Sequence, residues 1–238
     1  MKSELLKALN LGRLEGRPTA IVTRLDSGDQ WLIDESSDNG ASGEMALLAR
    51  AALAEDRSQV VDFDGADLFI HVHNAPLRLV VVGAVHIAQA LSLMAARVGY
   101  GVTVIDPRGA FATEERFPGV DICNEWPDEA LRRMRLDPRT AVVTLTHDPK
   151  LDDAALQIAL PSDAFYIGSL GSKKTHQARL NRLERLGFDK IARNRIHGPI
   201  GLPIGAKSPA EIAVAILAEI TQVRRTRTQP GSSPGSTE

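Results

Sequence analysis

The amino-acid sequence predicts an α/β protein, a parallel sheet covered by helices and preceded by a smaller α+β domain. Three observations predict it. From Leu77 onward, short runs of β-branched residues alternate with amphipathic segments, the pattern of strands buried on both faces between covering helices. Before Leu77 the strand-like runs are joined by short turns instead, which suits hairpins. The turn "GAVHIA", Gly83 to Ala88, falls between the first of the later strands and its helix, where a Rossmann-like unit carries its glycine turn. The expected organisation is a small N-terminal α+β domain over 1–75, a Rossmann-like domain over 76–225 and a disordered tail over 226–238.

Each element has a local reason. After an amphipathic start, "PTAIVTRL" and "QWLID" read as strands around the turn "DSGD", and the polar stretch "ESSDNGASG" leads into the Ala/Leu-rich helix "EMALLARAALA". "SQVVDF" and "LFIHVH" flank "DGAD" as a second strand pair. In the later part, "LRLVVVG", "GVTVID", "TAVVTLT" and "AFYIG" are the strands. The helices are expected over His86–Val98, Leu151–Leu160 and about Ser172–Leu186, with a looser region between Asp106 and Thr140. A last helix opens at "SPAE", with Ser208 as N-cap, Pro209 in the first turn and Glu211 completing a capping box. The tail "TRTQPGSSPGSTE" has no apolar content to bury.

Composition narrows the function classes. Lys and Arg number 28 against 30 Asp and Glu, a net charge of −2, so no global field attracts a nucleic acid and any anion site must be local. A single cysteine, Cys123, excludes an internal disulfide and a cysteine-built zinc site, and fits a reducing cytoplasm. Charges interrupt the apolar residues of the N-terminus, which argues against a signal peptide. No run approaches the roughly 20 apolar residues of a membrane span. No metal-ligand cluster and no catalytic set stands out: His71 and His73 alternate on one strand without further ligands.

The candidate binding residues cluster at the ends of predicted strands, where open α/β sheets bind ligands. "YIGSLGSKKTH" brings Gly168, Ser169, Gly171 and Ser172 to a helix start, followed by Lys173 and Lys174. Free N–H groups and the positive end of the helix dipole accept phosphate there. The spacing is not that of a nucleotide-hydrolysing P-loop. "TLTHDPKLDD" places His147 and Asp148 beyond another central strand; His147 is a candidate donor, and Asp148 or Asp152 a candidate helix cap. "HGPIGLPIGAKS" adds His197, Gly201 and Gly205 in a loop so poor in side chains that it suits close backbone approach to a ligand. At the first turn Gly83 and Ala88 fit the dinucleotide fingerprint, but Val85 stands where a second glycine would admit a pyrophosphate. Asp106, about 20 residues past Gly83, ends the second strand at the position of a ribose-binding carboxylate. NAD(P) is therefore possible but disfavoured by Val85.

The segments "RLVVVGAVHIAQAL", "GYGVTVIDPR", "RFPGV", "VTLTHDPKLDDAAL", "YIGSLGSKKTH" and "HGPIGLPIGAKSPAEIAVAILAEI", in that order from about Leu77 to Ile220, resemble the XdhC family, accessory proteins of xanthine dehydrogenase and related molybdenum hydroxylases. His86 matches the histidine of the family's Gly-Ala-Gly-His turn, in which Val85 replaces the second glycine. The resemblance implies a maturation chaperone more than an enzyme. Such a chaperone binds the molybdenum cofactor (molybdopterin), shields it during sulfuration, and hands it to the apo molybdenum hydroxylase subunit. It further implies a cytoplasmic homodimer and a cysteine desulfurase as a possible partner. The N-terminal part is shorter than the family's usual first domain and lacks its glycine-triplet motif, so contacts made by that domain are not carried over. The competing reading is an NAD(P)-dependent oxidoreductase using the Gly83 turn, Asp106 and His147.

Overall fold

The computed structural model describes residues 3–227, which form two compact units meeting in sequence at Ala75 and Pro76. The first contains α1 (Ser3–Leu14), β1 (Thr19–Arg24), β2 (Gln30–Asp34), α2 (Gly43–Glu55), β3 (Gln59–Phe63) and β4 (Ala66–His73). Its sheet is antiparallel in the order β2-β1-β4-β3. Asp64 and Gly65 both have positive φ, 52° and 72°, and so form the two-residue turn that the twist of a tight hairpin favours between β3 and β4. The apolar face of α2, led by Met45, Ala49 and Leu53, packs with Val22, Ile33, Leu68 and Ile70 of the sheet into one core.

The second unit begins with β5 (Leu77–Val82), α3 (His86–Arg97) and β6 (Tyr100–Ile105), followed by β7 (Asp121–Cys123) and α4 (Pro127–Met134). β8 (Thr140–Thr144), α5 (Pro149–Ala159), β9 (Tyr166–Ser169) and α6 (Lys173–Arg185) come next, and α7 (Lys190–Arg193), β10 (Ile196–His197) and α8 (Pro209–Arg227) complete it. All six strands pair in parallel in the order β10-β9-β8-β5-β6-β7. Read from β7 and numbered along the chain, this is the doubly wound 3-2-1-4-5-6 order. One core lies on each sheet face. Leu79, Val81, Leu91, Val143 and Ile216 are in the first, and Val80, Val142, Leu156, Ile167 and Leu183 in the second.

The looser region of the sequence contains β7 and α4, and α7 and β10 were likewise unannounced. α5 starts two residues earlier than the expected Leu151, because Asp148 is its N-cap and Pro149 its first residue. α8 runs on through Arg227, two residues into the expected tail. Val223 packs on the core, and the Thr226 hydroxyl donates to the carbonyl of Gln222. The remainder of that tail, 228–238, lies outside the described residues.

Candidate functional site

Because the strands are parallel, their C-terminal ends share one rim. β5 and β8 are neighbours whose chains leave in opposite directions, so the switch point lies between the Gly83 turn and the Thr146 loop. These loops are in contact. A Cβ added at Gly83 would lie 2.5 Å from Cγ2 of Thr146, and Gly83 has φ of 109°. Thr146 in turn holds Asp152: its hydroxyl and N–H donate to Oδ1 at 2.7 and 3.2 Å. Asp148 caps α5 by accepting from the N–H of Lys150 at 2.9 Å. His147, between them, is exposed with φ of 62°, a left-handed conformation that His adopts more readily than β-branched residues.

On the β6 side, Asp106 is fully buried. Its oxygens accept from the Ala84 N–H at 2.8 Å, and from Nε, Nη2 and the N–H of Arg108 at 2.9, 2.8 and 3.0 Å. Burial pushes the carboxyl up, but the bonds from Arg108 and Ala84 outweigh it and hold Asp106 below the ordinary range. The carboxylate expected to meet a ribose thus ties the Gly83 turn to β6. Val85 is half-buried and packs against the first of the two cores. Arg108 reaches from this side into the fields of Asp148 and Asp152.

On the β9 side, Gly171 has φ of 141°, and Ser172 caps α6 by accepting from the N–H of Thr175 at 3.1 Å. The N–H groups of Lys173 and Lys174 remain as donors of the first turn, and both lysine side chains are exposed. Beneath the loop lies Arg179, 2% exposed. Its Nη2 donates to the carbonyl of Leu170 at 2.7 Å and would stand 3.7 Å from a Cβ on Gly171, while Nε and Nη1 are buried without a partner among the described residues. Burial lowers the pKa of Arg179, opposed by the charges of Asp152 and Asp153. Asp152 itself is pushed up by burial against its bonds to Thr146. Contacts and fields therefore run unbroken from Gly83 through Thr146, Asp152 and Arg179 to Gly171.

The remaining candidates divide. His86 opens α3 and is exposed. Gly168 and Ser169 are buried strand residues and not part of the open loop. A Cβ on Gly168 would meet Ile200 and Tyr166 at 2.5 and 2.7 Å, and the Ser169 hydroxyl bonds that of Thr144. Gly201, φ 94°, packs against the α8 backbone at Ala215, and Gly205 faces open space. His197 stacks on Tyr166, ring centroids 4.6 Å apart, with Nδ1 3.2 Å from Oε1 of Glu219. Neither Arg179 nor Glu219 was singled out from the sequence. Both sit on the apolar stripe of their helix, Arg179 four residues before buried Leu183 and Glu219 three after buried Ile216, and that misplacement was the available signal. Among the described residues no group of three or more His, Cys, Asp and Glu side chains is arranged to hold a metal ion, and no helix is long and apolar enough to cross a membrane.

A doubly wound parallel sheet with a charged, polar rim at its switch point defines a Rossmann-like unit. The family described as XdhC Rossmann domain matches residues 79–220, and the chain belongs to it. It is 34% identical over 160 residues to a Bacillus subtilis protein described as a probable subunit of xanthine dehydrogenase, a match covering 67% of this chain and 46% of that one. To the molybdenum cofactor insertion chaperone PaoD of Escherichia coli it is 30% identical over 160 residues, covering 67% and 44%. The chain thus aligns with somewhat under half the length of these relatives. A crystal structure described as a xanthine dehydrogenase from Bacillus halodurans superposes with a TM-score of 0.71 at 27% identity, covering 97% of this chain and 66% of that one.

Proposed function

We propose that this chain is an accessory chaperone of a xanthine dehydrogenase-type molybdenum hydroxylase. It takes the molybdenum cofactor as cargo, shields it while the sulfido ligand is installed, and passes it to the apo-enzyme. In this reading it works as a homodimer in the cytoplasm, with a cysteine desulfurase supplying the sulfur. Support comes from the family, from the chaperone role named for the Escherichia coli relative, and from the chemistry of the rim. Molybdopterin has a terminal phosphate, a polar pterin and an oxidisable dithiolene, so a holder must supply an anion site, hydrogen bonds and exclusion of water.

The observation that carries the reading is Arg179, a guanidinium buried close to Gly171 with two nitrogens lacking acceptors among the described residues. A buried unsatisfied donor costs about 1–3 kcal/mol and calls for a function or a bound partner. Here it backs the first turn of a 13-residue helix, whose free amides and dipole already favour an anion. The phosphate is assigned to the amides of Gly171, Ser172, Lys173 and Lys174, with both lysine ammonium groups and Arg179 adding charge. Gly83, His86 and His147 line the crevice beside it. An NAD(P) reading finds less support, since the Asp106 carboxylate is engaged by Ala84 and Arg108.

Thermal unfolding tests this, because a ligand that binds only the folded state raises the melting temperature by mass action. Purified molybdopterin is expected to raise it and NADH or NADPH to leave it unchanged. The double substitution Lys173→Ala, Lys174→Ala should weaken the molybdopterin effect. Stabilisation by NADH or NADPH but not by molybdopterin would overturn the proposal.

A further inference from the structure

Two buried carboxylates support the rim in different ways. Asp106 is fully buried, and both of its oxygens accept, from Ala84 and Arg108. Asp152 is 2% exposed, yet only Oδ1 accepts, from the hydroxyl and N–H of Thr146 at 2.7 and 3.2 Å, and Oδ2 has no hydrogen bond among the described residues. For Asp106 the bonds outweigh burial; for Asp152 burial wins and pushes the carboxyl up. A buried carboxylate so thinly supported is the one that takes up a proton when further negative charge is brought near it.

The opposing charge comes from α6. Arg182 is committed to the neighbouring Asp153, its Nε and Nη2 donating to the two oxygens of that carboxylate. Arg179, one turn earlier on α6, makes no hydrogen bond to Asp152 but acts on it through its charge. Its Nε and Nη1 have no acceptor among the described residues. Asp152 also interacts through charge with His147 before α5, Arg108 after β6 and Arg182, and His176 feels the charge of Arg179.

We infer that Asp152 is a positioning residue of the anion site, acting through Arg179, and that an anion over the Gly171 loop and a proton on Asp152 are taken up together. The inference rests on the anion site assigned above. Arg179 attracts an anion there and an ionised Asp152 repels it, and because both groups are buried, salt screens neither strongly. A proton on Asp152 removes the repulsion and leaves the guanidinium charge to the anion. By linkage, the anion strengthens the hold of Asp152 on its proton by the same factor. Loss of that proton loosens the anion, so holding and releasing are two protonation states of one site.

The test uses sulfate as probe, because it stays a dianion from neutral to mildly acidic pH and any pH dependence then belongs to the protein. Titration calorimetry on the full chain should show sulfate affinity rising as pH falls below neutral, and Lys173→Ala, Lys174→Ala should weaken it. In Asp152→Asn the amide oxygen keeps both Thr146 bonds while the NH2 group replaces Oδ2. That variant should bind sulfate at neutral pH about tenfold more tightly than the parent chain and with a flatter pH profile, since a like charge nearby shifts a carboxyl by about one unit or more. His147 and His176 are present in both proteins, so the difference belongs to Asp152. Should the variant fail to fold, 13C-labelled aspartate in the parent chain still decides: sulfate should raise the titration midpoint of the Asp152 carboxyl by about one unit. Equal or weaker sulfate affinity in Asp152→Asn, an unchanged pH profile, or a midpoint that sulfate leaves in place overturns the inference while the anion site stands. Sulfate that fails to bind, or that binds undiminished to Lys173→Ala, Lys174→Ala, overturns the anion assignment as well.

Discussion

Asp106 shows how one carboxylate fixes the geometry of a rim. With its surface fully buried, it joins the Ala84 amide of the Gly83 turn to the Arg108 side chain, and both oxygens accept from donors only. Its folded pKa is lowered, so the sign follows directly. The stability it contributes is complete above the unfolded value near 3.9 and is lost as pH falls through the folded value. Asp106→Asn turns an amide NH2 toward one of those donors. Urea unfolding at pH 7 is expected to show a loss of about 1–3 kcal/mol, with a shallower decline of stability below pH 4 than in the parent chain. An identical acid limb in the two proteins would count against this role. Arg179 and Glu219 were the residues hardest to read beforehand. A charge within a helix ordinarily marks a solvated face, and only its register with buried Leu183 or Ile216 sets it apart.

At the scale of elements, the rim depends on how closely the strand-end loops approach. Gly83 is the tightest instance among the loops of the switch point, because its φ of 109° excludes most side chains and Thr146 fills the space a Cβ needs. Gly83→Ala is expected to destabilise the fold by about 1–3 kcal/mol through overpacking, with positive-φ strain added. Denaturant unfolding measures it, and a change below about 0.5 kcal/mol, the ordinary range of surface substitutions, would show that the two loops separate freely. The same scale explains what was legible. β5, β6, β8 and β9 are short, mostly buried runs rich in β-branched and apolar residues, and the α8 start carries its cap, proline and glutamate in sequence; each declares itself locally. β7, α7 and β10, at three, four and two residues, are too short to show a period and exist through their neighbours. The Gly-rich stretch from Gly168 to Ser172 was legible as a strand-to-helix junction. Its division into a buried half, Gly168 and Ser169, and an open half, Gly171 and Ser172, depends on where β9 ends.

At the scale of the whole molecule, each unit has its own core, and we propose that they are separate domains with the boundary at Ala75. The parallel order of the second unit brings loops from distant parts of the sequence, after β5, β8, β9 and β10, to one rim. That convergence follows from parallel topology, which alternating strands and helices announce. The charges that pass beneath the rim are tertiary and were not announced. The central claim is that this rim grips a pterin cargo chiefly by its phosphate, over the first turn of α6 and the buried Arg179. Its most direct test is the dissociation constant of the intact chain for molybdopterin compared with that for the same compound freed of its phosphate. The account predicts that the phosphorylated form binds at least about tenfold more tightly, as a charge-assisted hydrogen bond implies. Equal affinities for the two would contradict it.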